Sequence, residues 1–279
     1  MMFRGRKLLI VTKHGKERVI ADLAESALGV ECIVADEFDT DLLGTFTGEI
    51  GRPGDALETL RRKCHEGLAL YGCDLAIASE GSFGPHPAIF IASGDDELVM
   101  LVDTLNGLEI VARELTVDTN FSAATINSKE ELDHFLQLAR FPGHAVIVRR
   151  AENDTTAMIK GISDPEEMDS ISREYLEKYG SFFIETDMRA MHNPTRMQVI
   201  RRATAKLIER AGSLCPACGT PGFGVTSVKA GLPCSACRCE TDSTLSHISV
   251  CAKCSHTVEK LYPHGKNEED PMYCNFCNP

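Results

Sequence analysis

The chain has 279 residues and a formal net charge of −12 at pH 7, a length that suits one large domain or a medium domain with a small one. The acidic balance argues against nonspecific binding to nucleic acid or to an anionic membrane surface, because both need clustered Lys and Arg. No apolar stretch is long enough to span a membrane, and the N-terminal apolar run is too short for a signal peptide, so we expect a cytoplasmic protein.

Short apolar runs alternate with helix-spaced segments over most of the chain. The predicted strands are 7–12, 30–35, 45–50, 74–78, 97–103, 108–115, 145–149 and 181–186. The predicted helices are 17–28, 55–71, 128–139, 164–179 and 194–210, with Ser128, Asp164 and Asn193 as N-caps. This alternation predicts an α/β fold with helices on both faces of the sheet, and a hairpin across Asn106-Gly107 makes the sheet mixed.

The first polar cluster follows the first predicted strand, where α/β folds place their sites. It comprises Thr12, His14, Gly15 and Lys16. A glycine turn that opens a helix points free backbone N–H groups at one spot, and Lys16 adds positive charge, so the turn suits a phosphate. The alternative is an ordinary strand–helix turn with a solvated lysine.

The second cluster follows the strand at 74–78. Glu80 comes directly after this strand and precedes several glycines. Carboxylates with waters and substrate phosphates suit Mg²⁺, so Glu80 is a predicted ligand. The candidate companions are Glu49, Glu58, Asp55 and Asp74. The alternative for Glu80 is a loop carboxylate that accepts nearby backbone hydrogen bonds.

The third cluster spans residues 185–196 and opens the last predicted helix. Arg189 and Arg196 are predicted to clamp a phosphate, since guanidinium groups bind it bidentately. Asp187 is predicted to bind a metal or to orient an arginine. Elsewhere, His86 stands between two prolines and is expected to be a hydrogen-bonded loop histidine.

The last quarter of the chain contains four C-x-x-C pairs. They are Cys215/Cys218, Cys234/Cys237, Cys251/Cys254 and Cys274/Cys277. The gaps of fifteen residues after Cys218 and nineteen after Cys254 match tetrathiolate zinc sites. We therefore expect two structural zinc ions in a tail of residues 212–279, after an α/β domain of residues 1–211. Sequential pairing is simplest, and an interleaved arrangement stays open. Cys239 is expected to be a spare buried cysteine, although it could replace Cys237.

The charge of the tail bears on its role. From residue 212 on there are five Lys or Arg against six Asp or Glu, and few aromatics. That composition disfavours nucleic acid, which is bound by basic grooves and stacking platforms. A structural role for the tail is favoured.

Taken together, the chain resembles an uncharacterised bacterial family, a domain of unknown function with a double zinc ribbon at its C-terminus. The matching segments are 12–16, 38–41, 44–49, 52–55, 79–87, 185–197 and the cysteine pairs. The resemblance covers nearly the whole chain and carries no established activity.

The first half also distantly resembles the inosine/xanthosine triphosphate pyrophosphatase superfamily. The segments that carry this resemblance are 12–16, the step from Glu58 to Lys63, and 78–82, which includes Glu80 and Ser82. The resemblance implies an elongated mixed α/β fold with a cleft, Mg²⁺, and hydrolysis of a nucleoside triphosphate to monophosphate and pyrophosphate. Departures from its motifs leave the substrate open.

The leading hypothesis is a Mg²⁺-dependent protein that binds a nucleotide or another phosphorylated small molecule and hydrolyses it. Lys16, Lys63, Arg189 and Arg196 would neutralise phosphates, and Glu80 with Glu49 or Glu58 would hold Mg²⁺. The alternative is a nonenzymatic zinc-ribbon adaptor that binds protein or nucleic acid. The sequence leaves the oligomeric state open.

Overall fold

The computed structural model describes residues 2–38, 55–89 and 91–279. Its helices are α1 (Glu17–Leu28), α2 (Ala56–Tyr71), α3 (Lys129–Ala139), α4 (Pro165–Tyr179) and α5 (Pro194–Gly212). Its strands are β1 (Lys7–Val11), β2 (Glu31–Val34), β3 (Leu75–Pro85), β4 (Ser93–Asp103), β5 (Leu108–Thr116), β6 (Ala123–Ile126), β7 (Val146–Arg149), β8 (Met158–Ile162), β9 (Phe182–Thr186), β10 (Val225–Ala230), β11 (Thr244–Val250) and β12 (Thr257–Leu261). Residues 3–208 form one compact unit and residues 209–279 another. Within the described residues, every helix is too short or too polar to cross a membrane.

Side-chain caps and turn residues set the helix boundaries. The predicted N-caps are confirmed: the side chains of Ser128, Asp164 and Asn193 each accept a backbone N–H from the first turn of the following helix. Gly29 and Gly72 end α1 and α2 with φ values of 68° and 63°, a left-handed conformation that glycine adopts without strain. Local sequence therefore places these helices correctly.

The first sheet has the strand order β2-β1-β3-β4-β5. Strands β2, β1 and β3 are parallel, and β4 and β5 are added antiparallel, so the predicted mixed α/β architecture is confirmed. On one face, α2 packs its Leu60, Cys64 and Leu68 against strand residues such as Leu9 and Met100. Along the strand order, the chain moves in one direction from β1 to β2 and in the opposite direction from β2 to β3. Right-handed crossovers therefore place α1 on the face opposite α2.

Strand β3 is longer than predicted. It continues through Glu80 to Pro85, because β4 pairs with it antiparallel along its whole length, from Leu75 opposite Asp103 to Pro85 opposite Ser93. The expectation that the chain turns into a loop after residue 78 is therefore wrong. Since strand side chains alternate, Glu80 shares the α2 face with the core residues of β3, and its neighbours in the strand point to the opposite face.

A second, separate sheet has the order β6-β9-β7-β8 and is antiparallel throughout. Its core is formed with α3 and α4, and includes Leu132, Phe135, Met168 and Phe182. Strands β6 and β8 were not predicted, because both are short edge strands without a run of buried apolar residues. The prediction of a single sheet missed this division.

Within the tail, residues 213–279 form a three-stranded antiparallel sheet in the order β10-β11-β12. Every residue of β10 and of β12 is exposed. Leu232 is the one large aliphatic side chain buried in residues 213–279, all of which the structure describes, and the cysteines supply most of the remaining buried apolar atoms. A core of this size is far too small to fold the tail unaided.

Candidate functional site

Lys16 lies at the start of α1 and points into the protein. Its ammonium group is buried and donates hydrogen bonds to Ser79, 3.0 Å to the hydroxyl Oγ and 3.3 Å to the backbone oxygen. The preceding residue, Gly15, has a φ of 73°, which lets the chain turn sharply into the helix. Burial, and next the charge of Arg196, lower the pKa of Lys16 to about 7, while Glu97 opposes the shift.

Glu80 forms a buried ion pair with Lys63 of α2. The pair belongs to the α2 face of the sheet, whereas the Ser79 hydroxyl that meets Lys16 belongs to the other face. Both carboxylate and ammonium are desolvated, so neither group gains much stability for the fold from the pairing. Glu80 is therefore paired with Lys63, the lysine that the sequence analysis assigned to the same phosphate and metal site.

Arg196 forms a second buried ion pair, with Glu97 of β4. The Nε–Oε1 distance is 2.6 Å, and both side chains are completely inaccessible to solvent. The guanidinium also donates to the backbone oxygen of Met188 and stacks on the ring of Phe83, 5.1 Å from its centroid. Arg196 is therefore held rigidly by three elements.

Gly81 makes room for that ion pair. A Cβ atom at this position would lie 2.4 Å from Glu97 Oε1 and 2.7 Å from Arg196 Nη2, closer than van der Waals contact allows. The glycine lets the two charged groups lie directly against the backbone of β3.

Asp95 and Glu97 are site residues that sequence reasoning missed. They alternate along β4 on the same face as the buried apolar residues Val99 and Leu101. Burial, and next the charge of Glu97, raise the pKa of Asp95 to about 8. The signal was present in the sequence: the period-two pattern of the strand continues from apolar residues into carboxylates without changing face.

Asp187 and Arg189 form a pair of their own. The buried carboxylate of Asp187 accepts from Arg189 Nε at 3.0 Å and from Arg189 Nη2 at 2.6 Å. The two residues line a small pocket together with Phe83 and Phe121. The cavity measures about 50 Å³, well below the few hundred Å³ typical of a small-molecule site.

The three predicted clusters adjoin one another. Lys16 joins the turn after β1 to β3 through Ser79. The Cβ position of Gly15 lies 3.8 Å from Met191 Cβ, so the same turn reaches the segment that follows β9. Phe83 lies beneath Arg196 and also lines the pocket of Asp187 and Arg189. Residues from the turn between β1 and α1, from β3, from the segment after β9 and from α5 thus meet at one end of the first sheet.

Other predicted residues have different surroundings. Thr12 is buried at the end of β1, and His14 and Ser82 are half-buried. Glu58 lies on the exposed side of α2, where it accepts a hydrogen bond from Arg61 at 3.1 Å. Glu49 lies outside the described residues, as do residues 45–50, which were predicted to form a strand.

His86 has the structural role expected of it. Its Nδ1 accepts hydrogen bonds from the backbone N–H groups of Ala88 and Ile89, at 3.2 and 3.1 Å. Two basic residues of α5, Arg202 and Lys206, both form ion pairs with Glu114 of β5.

The eight paired cysteines gather into two groups of four. One group contains Cys215, Cys218, Cys251 and Cys254, and the other contains Cys234, Cys237, Cys274 and Cys277. The first pair therefore joins the third and the second joins the fourth, so the interleaved arrangement is the one adopted. Cys239 belongs to neither group and is exposed, which corrects the expectation that it is buried.

The sulfur geometry fits a tetrahedral metal ion. Sulfur–sulfur distances between pairs are 3.7 Å in the first group, and 3.6 and 3.9 Å in the second. Four thiolates bound at about 2.3 Å to one tetrahedral zinc lie about 3.8 Å apart, whereas disulfide sulfurs are only about 2.05 Å apart. Each group could therefore hold one metal ion, and the donor set is consistent with zinc.

Residues 63–279 match a family described as a domain of unknown function, DUF6671. The matched segment includes Lys63, Glu80, Glu97, Arg196 and all eight paired cysteines. No curated protein matches the sequence. The resemblance to the inosine/xanthosine triphosphate pyrophosphatase superfamily receives no support from these comparisons. Because the match spans most of the chain, the protein belongs to the DUF6671 family.

Proposed function

We propose that residues 3–208 bind a phosphorylated small molecule, such as a nucleotide, at the buried charged cluster. Six charged side chains are buried there, and they are Lys16, Lys63, Glu80, Asp95, Glu97 and Arg196. Removing so many ionisable groups from water costs free energy that their mutual attraction repays only in part, and apolar packing is often as stable as buried ion pairs or more so. Strongly perturbed ionisable groups of this kind mark functional sites.

The observation that carries the proposal is the state of Lys16. Within the described residues its ammonium group hydrogen-bonds only Ser79, a neutral partner, although the group is buried. A phosphate would supply the missing negative charge, with Arg196 and Lys63 close enough to affect Lys16 electrostatically. Phosphate binding would raise the pKa of Lys16 and restore its charge.

The reaction we propose at this site is hydrolysis of the bound phosphoanhydride with Mg²⁺. The chain has cations to neutralise the phosphates and carboxylates to hold a metal, as such reactions require. Glu80 and Arg189 are the candidate catalytic groups. Both are engaged by partners of opposite charge, Lys63 and Asp187, which ligand binding would have to displace.

The test uses the full-length protein with a panel of nucleoside di- and triphosphates, pyrophosphate and inorganic phosphate, with and without Mg²⁺. At least one phosphate compound should raise the melting temperature, and Lys16→Met should abolish that rise. The matched control is Lys129→Met, an exposed lysine paired with Asp133 on α3. Release of pyrophosphate or phosphate from the same panel tests hydrolysis separately.

The binding proposal fails if none of the compounds raises the melting temperature of the unchanged protein, or if Lys16→Met responds like the control. If a compound binds but no phosphate or pyrophosphate is released, the binding proposal stands and the proposed hydrolysis is rejected.

For the tail we propose two structural zinc ions and a role as a protein-binding adaptor. Met272, Tyr273 and Phe276 are all more than half exposed beside the second cysteine group. Exposed apolar and aromatic side chains suit a protein partner. The thiolate ligands imply a reducing compartment such as the cytoplasm. Pull-down with the full chain and with a Met272→Ser, Phe276→Ser variant tests the adaptor role, and equal recovery of partners by both would reject it.

A further inference from the structure

Asp95 and Glu97 face the same side of β4, at the end where it pairs with the last part of β3. Their cross-strand neighbours are Phe83 and Gly81, respectively. Both carboxylates are completely buried, and Arg196 of α5 lies beside them. The intervening residue, Asp96, faces the other way and pairs with Arg113.

Among the residues that the structure describes, three of the four carboxylate oxygens have no hydrogen-bond partner. Neither oxygen of Asp95, nor Oε2 of Glu97, meets a donor within the described part of the chain. The remaining oxygen, Glu97 Oε1, accepts from Arg196 Nε. A buried polar group without a partner is destabilising, and a buried charged group is more so.

Arg196 can neutralise only one of the two carboxyl groups, so Asp95 favours its neutral form until another cation is supplied. Two carboxylates face one guanidinium, and Arg196 bonds only Glu97 of the two. A single proton could satisfy at most one of the three oxygens. A hard divalent cation binds several oxygens at once, commonly with one or two carboxylates and several waters.

We propose that Asp95 and Glu97 bind a divalent cation of the Mg²⁺ or Mn²⁺ class. The donors are oxygens only, which favours these ions over zinc or copper. The cation would lie in the same cluster that we propose for phosphate binding, and it deepens that proposal by giving the metal ligands other than Glu80. A phosphate that enters the cluster would be neutralised by Lys16, Arg196 and the cation together.

The first experiment measures Mn²⁺ binding to the full-length, zinc-loaded protein by electron paramagnetic resonance, without any nucleotide. Asp95→Asn keeps the shape of the side chain and removes its charge. We expect Asp95→Asn to weaken Mn²⁺ binding at least tenfold, whereas the control Asp96→Asn binds like the unchanged protein. Mg²⁺ should compete with Mn²⁺ for the site.

Melting temperatures give a second readout, because the effect of Asp95→Asn on the melting temperature should have one sign without metal and the opposite sign with Mn²⁺. Without metal, Asp95→Asn should melt at a higher temperature than the unchanged protein, because burying a carboxyl group whose pKa is raised to about 8 costs free energy at neutral pH and an amide has no such cost. With Mn²⁺, the unchanged protein and Asp96→Asn should gain stability, and Asp95→Asn should not. An Asp95→Asn variant that gains as much as the unchanged protein overturns the proposal.

Iron-directed cleavage tests the position of the metal in the unchanged protein. Fe²⁺ replaces Mg²⁺ in many oxygen-ligand sites, and with ascorbate and peroxide it cleaves the backbone nearby. Fragments that end near Asp95, or near Phe83 on the paired strand, are expected, and excess Mg²⁺ should suppress them. Cleavage confined to the tail contradicts the proposal. Because no phosphate compound is present in these experiments, the cation site and the phosphate site can fail independently.

Discussion

Lys16 shows how the surroundings of one side chain change its chemistry. Its ammonium group is buried against Ser79, and desolvation, with the nearby Arg196, lowers its pKa to about 7 from an ordinary value of 10.5. Glu97 opposes this shift, Lys63 lowers the pKa by a smaller amount than Glu97 raises it, and Glu80 raises it by the smallest amount. A lysine that loses its proton near neutral pH is poised to respond to an anion.

This shift makes the stability of the protein depend on pH. Between about pH 7 and 10.5, the unfolded chain holds a proton on Lys16 that the folded protein does not. The free energy of unfolding should therefore rise with pH over this window, by up to a few kcal/mol. Urea unfolding at several pH values should show this rise in the unchanged protein and a smaller one in Lys16→Met. Identical pH profiles for the two proteins would contradict the buried lysine.

Gly81 offers a test of the Glu97–Arg196 pair. The Cβ of Gly81→Ala would overlap both Glu97 Oε1 and Arg196 Nη2, and neither side chain has solvent into which it could move. We expect a loss of about 2 kcal/mol in the free energy of unfolding. The control is Gly84→Ala, three residues along the same strand, where a Cβ meets nothing within 4 Å. Denaturant unfolding that gives equal stabilities for the two variants would contradict the packing described here.

At the scale of elements, the four turns that carry the cysteine pairs of the tail associate two by two. The turn at Cys215 meets the turn at Cys251, and the turn at Cys234 meets the turn at Cys274. Backbone hydrogen bonds shape each turn locally, for example from Gly219 N to Cys215 O at 2.8 Å. Interleaving ties segments far apart in the chain into one unit, which suits a region with so small a core.

Zinc content distinguishes interleaved from sequential pairing. In the interleaved arrangement, the double variant Cys218→Ser, Cys254→Ser damages one site, and Cys218→Ser, Cys237→Ser damages both. Elemental analysis should therefore find about one zinc in the first double variant and none in the second, since a structural site needs its four ligands. Sequential pairing predicts the reverse. Cys239→Ser, outside both groups, should keep two.

Taken as a whole, the protein has two units with different sources of stability. The described part of residues 3–208 includes an apolar core between the first sheet and α2 and another between the second sheet and its helices α3 and α4. The tail has scarcely any apolar core, so the metal ions that we propose for its two cysteine groups would supply much of its folding free energy.

Removal of metal should therefore affect the two units unequally. After treatment with a strong chelator, hydrogen exchange should accelerate throughout β10, β11 and β12 and the cysteine turns. The amides of β1 and β3 should remain protected, because their hydrogen bonds depend on the apolar core of the first sheet. Mass spectrometry of the exchanged peptides measures both regions at once. Equal loss of protection in β1 and β11 would show that the α/β unit also depends on the metal.

Much of the candidate site follows from sequence, and the rest depends on strand pairing. Lys16, Glu80 and Arg196 stand out because each is a charged residue beside glycines or at a helix start. Asp95 was overlooked because β4 begins at Ser93, before the predicted strand of residues 97–103, and Glu97 was treated only as the first residue of that strand. The partner of β4, which is β3, decides that extension, and a pairing of this kind is not a local property.

Local patterns in the sequence were sufficient for the helices, their caps, the hairpin at Asn106-Gly107 and the metal-binding character of the eight cysteines. Each of these depends on interactions within a few residues, such as a side chain capping its own helix or two sulfurs presented by one turn. The division into two sheets, the interleaving of the cysteine pairs and the convergence of Lys16, Glu97 and Arg196 required the folded chain. These features depend on contacts between residues that are distant in the chain, such as Glu97 and Arg196, which are 99 positions apart. Burial and loop closure, not local propensity, decide which of the possible pairings form.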